Sequence, residues 1–207
     1  MSIVPSRLPR KPSLPPKPLL ALLAVAAVLG LSACGDSHTR VNGGTYAGES
    51  GANAPYLDVG PLVYEVQLSR QLNPFDTEDS SYLAGLTPAQ RQLRPGEEWF
   101  GVFMQVYNNG GKPQLVASPL SMRITDTQGA VYRPVLMPAS NPFAYRAGFV
   151  PANGRLPELN TVAANGATQG SLLLYKIRLI SLDNRPLILH LVDPLNPAQT
   201  ASAELDV

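Results

Sequence analysis

The stretch from Trp99 to Gly111 reads WFGVFMQVYNNGG, and it decides the fold that the sequence predicts. Its apolar side chains occupy both faces of a strand: Phe100, Val102, Met104 and Val106 on one face, and Trp99, Phe103 and Tyr107 on the other. A strand that is apolar on both faces is typical of the middle of a sheet that is covered on both sides. The run Asn108–Gly111 ends the strand with residues that favour turns.

Further runs with strand-like alternation lie on both sides of this one. They cover residues 62–68, 120–125, 131–136, 172–179, 186–192 and 201–207. Asp126–Gly129 is typical of a tight hairpin turn, and Asp193–Pro197 of the turn before the last run. One short stretch, Thr87–Leu93, has helix-start chemistry, with Thr87 as the N-cap and Pro88 as the first helical residue. The pattern predicts an all-β fold, an antiparallel β-sandwich of about seven strands.

Two motifs in the middle of the chain carry a resemblance to a known family. The first motif is the strand end Val106-Tyr107-Asn108-Asn109-Gly110. The second is the hairpin Leu120–Tyr132, which turns at Asp126-Thr127-Gln128-Gly129. Together they resemble the Ig-like, telokin-like domain of unknown function that is common in Gram-positive lipoproteins. The resemblance covers residues 60–192 and implies an Ig-like β-sandwich. The long loops 70–97 and 137–168 depart from the pattern of that family.

The sequence before the predicted domain has the features of an export signal. Residues 1–18 contain four basic residues and no acidic one, and an uncharged apolar run of thirteen residues, 19–31, follows them. A basic start, a short apolar core and small residues at the cleavage point are typical of a secretory signal. The apolar run is short for a membrane span, which needs about 20 residues.

The end of this run, Leu31-Ser32-Ala33-Cys34, resembles the lipobox of bacterial lipoproteins. The resemblance implies cleavage before Cys34 and a diacylglyceryl group on its sulfur, and two acyl chains hold a protein stably on a bilayer. The predicted domains are a signal peptide at 1–33, a lipidated cysteine with a disordered tether at 34–58, and the Ig-like sandwich at 59–207. An uncleaved anchor and a plain secretion signal are the alternatives.

The charge balance and the single cysteine argue against several classes of function. Loss of residues 1–33 removes four basic residues and no acidic one, which moves the formal net charge from +1 to −3. A mildly acidic domain is a poor match for nucleic acid. Because Cys34 is the only cysteine, its lipidation leaves no thiol for a disulfide, a redox pair or a thiolate metal site.

The acidic loop 73–79 is a candidate metal site. Asp76, Glu78 and Asp79 would supply three carboxylates, about half of the oxygen ligands that Ca²⁺ prefers. Their order does not follow the EF-hand spacing. The other interpretation is a solvated acidic loop, or an Asn/Asp turn with a charged helix start.

A second candidate is the long loop that contains Phe143, Tyr145 and Phe149. Aromatic side chains on loops often anchor the recognition of a partner. They also often cover an open end of a sandwich. His190, by contrast, alternates with leucines in a strand, and we interpret it as a side chain of the more exposed face.

The sequence therefore predicts a non-enzymatic lipoprotein without a cofactor, held on the extracytoplasmic face of a cell membrane by its lipid. We expect it to bind an envelope protein or a surface ligand through the loops 70–96 and 137–168, because loops of this length are often functional. Deletion of 139–156 is expected to abolish partner binding and to leave the fold intact. The alternative function is binding of a metal ion or small ligand by the acidic loop 73–79.

Overall fold

The computed structural model describes residues 39–42 and 56–205. The strands in this part of the chain are β1 (Thr39–Asn42), β2 (Tyr56–Val59), β3 (Leu62–Leu72), β4 (Glu97–Asn108), β5 (Gln114–Leu115), β6 (Arg123–Thr125), β7 (Val131–Tyr132), β8 (Phe149–Val150), β9 (Arg155–Leu156), β10 (Ser171–Arg178), β11 (Leu187–Val192) and β12 (Thr200–Leu205). The helices are α1 (Thr77–Tyr82), α2 (Pro88–Arg91), α3 (Val162–Asn165) and α4 (Ile180–Asp183), and a 3₁₀ turn covers Pro119–Ser121.

The strands form two main sheets that share a core. The first sheet has the order β1-β12-β11-β6-β7, and the second has the order β10-β4-β3-β2 with β9 also paired to β4. β5 and β8 form a separate ribbon. Only β1, which runs parallel to β12, departs from antiparallel pairing among the named strands of the described residues. The predicted antiparallel β-sandwich is confirmed, and its twelve strands exceed the predicted number because several are only two residues long.

The main core lies between the two sheets, as the alternation in β4 predicted. Both sheets contribute fully buried apolar side chains to it, among them Phe100, Val102, Met104 and Val106 from β4, and Ile124, Leu187, Leu189 and Leu191 from the first sheet. Burial of one such side chain is worth roughly 1.5–3 kcal/mol. This core holds the two sheets together.

A second apolar cluster covers the other face of the second sheet, and we call it the outer-face cluster. The sheet contributes Leu72, Trp99, Phe103, Leu172 and Leu174, and the segment around α1 contributes Tyr82, Leu83 and Leu86. The Tyr82 ring meets the Phe103 ring edge-to-face, with 5.1 Å between centroids. β4 is therefore apolar on both faces because each face has its own cluster.

The segment 73–94 is a folded cover of the second sheet. The predicted helix start at Thr87 is confirmed, since its hydroxyl accepts the backbone N–H of Gln90 and the Gln90 side chain accepts the backbone N–H of Thr87. Such a capping box satisfies two main-chain donors at once. Within the loop 70–96, Tyr82, Leu83 and Leu86 are buried, as expected for a stretch interpreted as a buried plug, and they are not available to a partner.

Two boundaries differ from the prediction. The range 34–58, expected to be a tether without structure, contains β1, which pairs with β12, and most of β2. In β2, Leu57 and Val59 alternate with exposed residues and are buried, and the strand pairs with β3. The run 131–136, expected to be one strand, leaves the first sheet after Tyr132. Pro134 has no backbone N–H for a sheet ladder, and the chain crosses to the second sheet at that point.

Candidate functional site

The segment 134–147 runs along the outer edge of β10, the edge strand of the second sheet. The Val135 N–H donates to the Leu174 carbonyl at 2.7 Å, and the Leu172 N–H donates to the Phe143 carbonyl at 2.7 Å. The Tyr145 N–H completes the contact by donating to the Leu172 carbonyl at 2.8 Å. An edge strand left open would offer these groups to another chain, and this segment occupies them.

A cleft of about 290 Å³ lies between this segment and β10. Polar and apolar atoms contribute about equally to its wall, although most of the lining residues have apolar side chains: Pro119, Pro134, Val135, Leu136, Met137, Tyr145, Arg146, Ala147, Leu172, Leu173 and Leu174. The three leucines pair with Gly101–Phe103, so the cleft lies halfway along β4 at the side of the sandwich. Leu136 is 55% exposed and gives the rim an apolar side chain that a partner can reach.

Asn141 connects the segment 134–147, which forms the rim of the cleft, to the outer-face cluster. Its buried side-chain amide donates to the carbonyls of Tyr82 at 2.8 Å and Ala84 at 3.0 Å, and its amide oxygen accepts the Phe143 N–H at 2.9 Å. The neighbouring Gly85 has φ +76°, a region that glycine enters without strain. A Cβ at Gly85 would also lie 2.7 Å from the Pro138 ring, so the two segments approach closely.

Arg146 fixes the backbone of the same rim through its guanidinium group. One guanidinium nitrogen, Nη2, donates to the carbonyls of Pro138, Ala139 and Asn141 at 2.8–2.9 Å. A charged donor makes stronger hydrogen bonds than a neutral one. The cleft is therefore formed by a segment whose backbone is fixed by side chains, so a partner does not have to order it on binding.

The three aromatic candidates of this loop have three different environments. Tyr145 is buried, its hydroxyl donates to the Ala117 carbonyl at 3.0 Å, and burial raises its pKa well above the usual 10. Phe143 is half-buried and packs edge-to-face on Tyr82 at 4.8 Å. Phe149 is 73% exposed. The prediction of an exposed aromatic contact is wrong for Tyr145, which belongs to the core, and stays open for Phe149.

The predicted carboxylate site at 73–79 does not form. Asp76 is the N-cap of α1, and its Oδ1 accepts the N–H groups of Glu78 at 2.8 Å and Asp79 at 3.1 Å. Glu78 Oε1 accepts the Tyr82 hydroxyl at 2.8 Å. Among the described residues no group of three histidine, cysteine or acidic side chains could hold a metal ion. The interpretation as a turn with a charged helix start is the one that the structure bears out.

Asp79 has a structural role in this segment. It is buried, accepts two hydrogen bonds from the Arg70 guanidinium at 2.5 and 3.0 Å, and accepts the Asn73 N–H at 2.7 Å. Burial raises the pKa of the Asp79 carboxyl, but the hydrogen bonds from Arg70 and Asn73 outweigh it and the pKa is lowered. This ion pair joins the first turn of α1 to the end of β3.

His190 lies on the outer face of the first sheet, with the half-exposed environment that the alternation predicted. Its Nε2 is 2.9 Å from the Thr125 hydroxyl. Partial burial lowers the pKa of His190, and the charge of the neighbouring Arg123 lowers it further. The imidazole is therefore neutral at neutral pH, and its described partner is a hydroxyl.

The sequence did not point to most residues of the cleft. Val135, Leu136 and Met137 sit between two prolines, Pro134 and Pro138, and that spacing was the available signal, because it interrupts the strand alternation. The lipobox residues Leu31, Ser32, Ala33 and Cys34 lie outside the described residues. Within the part of the chain that the structure describes, no helix has the length and apolar character needed to cross a membrane.

No protein-family model matches the chain, and no curated protein is significantly similar to it. Among solved structures, the yjhA protein from Bacillus subtilis is 12% identical, with 73% of this chain and 97% of that chain covered and a TM-score of 0.47. An uncharacterized β-sandwich protein from Clostridium difficile 630 is 8% identical, with 74% and 91% covered and a TM-score of 0.41. A functionally unknown protein from Listeria monocytogenes EGD-e is 11% identical, with 68% and 70% covered and a TM-score of 0.40. The chain is a β-sandwich protein, and these likenesses extend no further than the fold.

Proposed function

We propose that this protein is a lipid-anchored, non-enzymatic binding module of the bacterial cell envelope. Its lipid holds it on the extracytoplasmic face of the membrane, and an envelope protein inserts an apolar side chain into the cleft between β10 and the segment 134–147. The observation that carries the binding part of the proposal is the cleft itself, which has apolar side chains at its wall and is formed by a segment fixed by Asn141 and Arg146. The resemblance of Leu31-Ser32-Ala33-Cys34 to a lipobox supports the proposed membrane location.

The chemistry of the cleft favours a protein partner over a cofactor. Its volume of about 290 Å³ is near the lower end of the roughly 300–1,000 Å³ of small-molecule sites. A pocket of this size accommodates one large side chain, which is how central residues of protein interfaces are bound. The cations and hydroxyls at its wall are already engaged, since Arg146 binds three carbonyls and Tyr145 binds Ala117.

The proposed membrane location is tested by replacement of Cys34 with serine. We expect the full-length chain to incorporate a labelled fatty acid and to sediment with membranes, because two acyl chains give a stable attachment. Cys34→Ser is expected to lose the label completely and to leave the membrane fraction or to keep an uncleaved leader. Ser32→Thr, which retains a small residue before the cleavage point, is the matched control. Equal fatty-acid labelling of the wild type and Cys34→Ser would contradict the proposal.

The binding site is tested by a photo-crosslinking amino acid at Leu136, with the same amino acid at Ile180 as a control of equal exposure (55% and 54%). We expect Leu136 to capture a defined membrane protein that Ile180 does not capture. The captured protein, once purified, is expected to bind the wild type directly. Leu136→Glu is expected to weaken that binding at least tenfold, about 1.4 kcal/mol, and Ile180→Glu to leave it unchanged. Equal binding by both glutamate variants would remove the cleft from the interface.

A test by deletion of 139–156 would be uninformative, and the expectation that this deletion spares the fold is wrong. The range contains Asn141, Tyr145 and Val150, which are all buried. It also contains β8 and β9, which pair with β5 and β4. Point substitutions at the rim are therefore the appropriate variants.

A further inference from the structure

One end of the sandwich, here called the anchor end, is the end at which β1 begins. Thr39 pairs with Thr200, the first residue of β12, and Thr200 pairs in turn with Val192, the last residue of β11. The turn at Gly60 lies against the Asp193 side chain. The start of β3, in the second sheet, therefore also lies at the anchor end.

The covalent chain limits the distance between this end and Cys34. Thr39 follows Cys34 by five positions, and five fully extended residues span at most about 18 Å. The twelve residues of β4 span about 40 Å. A lipid on Cys34 therefore holds the anchor end near the bilayer, and it leaves the opposite end, where the Leu179 N–H donates to the Gly96 carbonyl, well away from it.

Two exposed apolar side chains of the first sheet lie at the anchor end. Leu195 is 69% exposed in the turn that joins β11 to β12. Leu120 is 55% exposed in the 3₁₀ turn before β6. β6 starts opposite His190, near the last residue of β11, so the turn that contains Leu120 points to the same end as Leu195.

A third apolar side chain comes from the β5–β8 ribbon. Phe149 is 73% exposed. Its neighbour Val150 accepts a hydrogen bond at 3.0 Å from the side chain of Asn108. Asn108 is paired with Leu62, the first residue of β3, at the anchor end. The three exposed apolar side chains therefore come from three separate segments, namely the β11–β12 turn, the 3₁₀ turn and β8.

Both acidic and basic residues lie at this end, with Asp58 and Asp193 next to the Gly60 turn. The Asp193 carboxylate is buried and accepts the N–H groups of Leu195 at 2.7 Å and Asn196 at 3.2 Å, which fixes the turn that presents Leu195. Lys112 and Arg133 are exposed, and the Arg133 guanidinium donates to the Leu120 carbonyl at 3.3 Å. Basic residues next to a bilayer are attracted to anionic headgroups.

We propose that the anchor end rests on the membrane surface, with Leu120, Phe149 and Leu195 inserted among the lipid headgroups. The proposal depends on the proposed lipidation of Cys34. A single attachment point leaves a domain free to rotate over the bilayer, and three apolar contacts fix its orientation. Apolar side chains at an interface enter the boundary of headgroups and acyl chains by about 5–10 Å. The cleft beside β10 then faces sideways, along the membrane.

The test uses the full-length lipidated chain in vesicles of phosphatidylethanolamine and phosphatidylglycerol. Leu120→Cys, Phe149→Cys and Leu195→Cys are each labelled with an apolar fluorophore, and Leu179→Cys at the opposite end is the control, because Leu179 is also exposed (50%). The new thiol is the one that reacts, since the sulfur of Cys34 is acylated. We expect headgroup-level nitroxide lipids to quench the three anchor-end labels at least threefold more than the Leu179 label. We expect aqueous iodide to give the opposite order.

The outcomes separate the two proposals. If the N-terminal peptide carries the diacylglyceryl group by mass and all four labels respond equally to lipid and to iodide, the domain stands free of the bilayer and only the orientation is overturned. If the peptide carries no lipid, the proposed address and the orientation both fail. Lys112→Glu with Arg133→Glu provides a second measurement, because it is expected to reduce lipid quenching at Leu120 in anionic vesicles and not in purely zwitterionic ones.

Discussion

Phe103→Ala is expected to lower the free energy of unfolding by about 3–5 kcal/mol. The Phe103 ring is fully buried in the outer-face cluster and meets Tyr82 edge-to-face. Its removal leaves a cavity that the main chains of β4 and α1 cannot fill, so the loss exceeds the transfer free energy of the ring. Equilibrium unfolding in urea, followed by the fluorescence of Trp99 in the same cluster, measures the change.

The matched control is Phe75→Ala. Phe75 precedes α1 and is 95% exposed, so its truncation is expected to change the free energy of unfolding by less than about 0.5 kcal/mol. The difference between the two variants tests whether 73–94 covers the second sheet. A similar small change in both would mean that the outer face of β4 is open to water in solution.

Asn141→Ala is expected to lower the free energy of unfolding by about 2–4 kcal/mol, because it removes three hydrogen bonds and leaves buried carbonyls without a donor. We expect this loss of stability to appear first as local opening of the segment 134–147. The N–H groups of Val135 and Tyr145, which bond to β10, should exchange with solvent at least tenfold faster than in the wild type. Hydrogen exchange followed by mass spectrometry of the peptides from 134–147 measures this.

Asn160→Ala is the control for this change, because Asn160 is an exposed asparagine in the same long region. We expect it to leave both the stability and the exchange of Val135 and Tyr145 unchanged. If Asn141→Ala destabilises the protein while the exchange of 134–147 stays slow, the rim is held by Arg146 and the backbone, and Asn141 serves only the outer-face cluster.

The two-sided alternation of β4 was sufficient to predict a covered central strand, but it did not say what covers it. The cover includes Tyr82 and Leu86, which stand in a stretch rich in Ser, Thr, Gly and Pro with little apolar periodicity. Short helices such as α1 and α2 gain most of their stability from the surface on which they pack. The second sheet therefore determines where α1 and α2 lie, and the local sequence supplies only their N-caps.

In the candidate site, too, some features follow from residues adjacent in sequence, and others depend on distant parts of the chain. Asp76 as a helix cap follows from residues next to it in sequence. The partner of Asp79, by contrast, is Arg70 on the preceding strand, and this pairing depends on the path of the chain between them. The cleft depends on Pro134, which cannot continue the ladder of β7, and on an edge of β10 that is formed from residues far away in sequence.

The parallel pairing of β1 with β12 has a consequence for the order in which the molecule can be completed. Thr39 and Thr200 lie at opposite ends of the domain sequence, so this edge of the first sheet closes only after the last strand has been synthesised. Contacts between such distant segments form late and slowly. Removal of either terminal strand would uncover a β-edge on this sheet, which is a template for strand exchange between copies. β1 and β12 thus satisfy in each other the backbone groups that would otherwise be open to a strand of a neighbouring molecule.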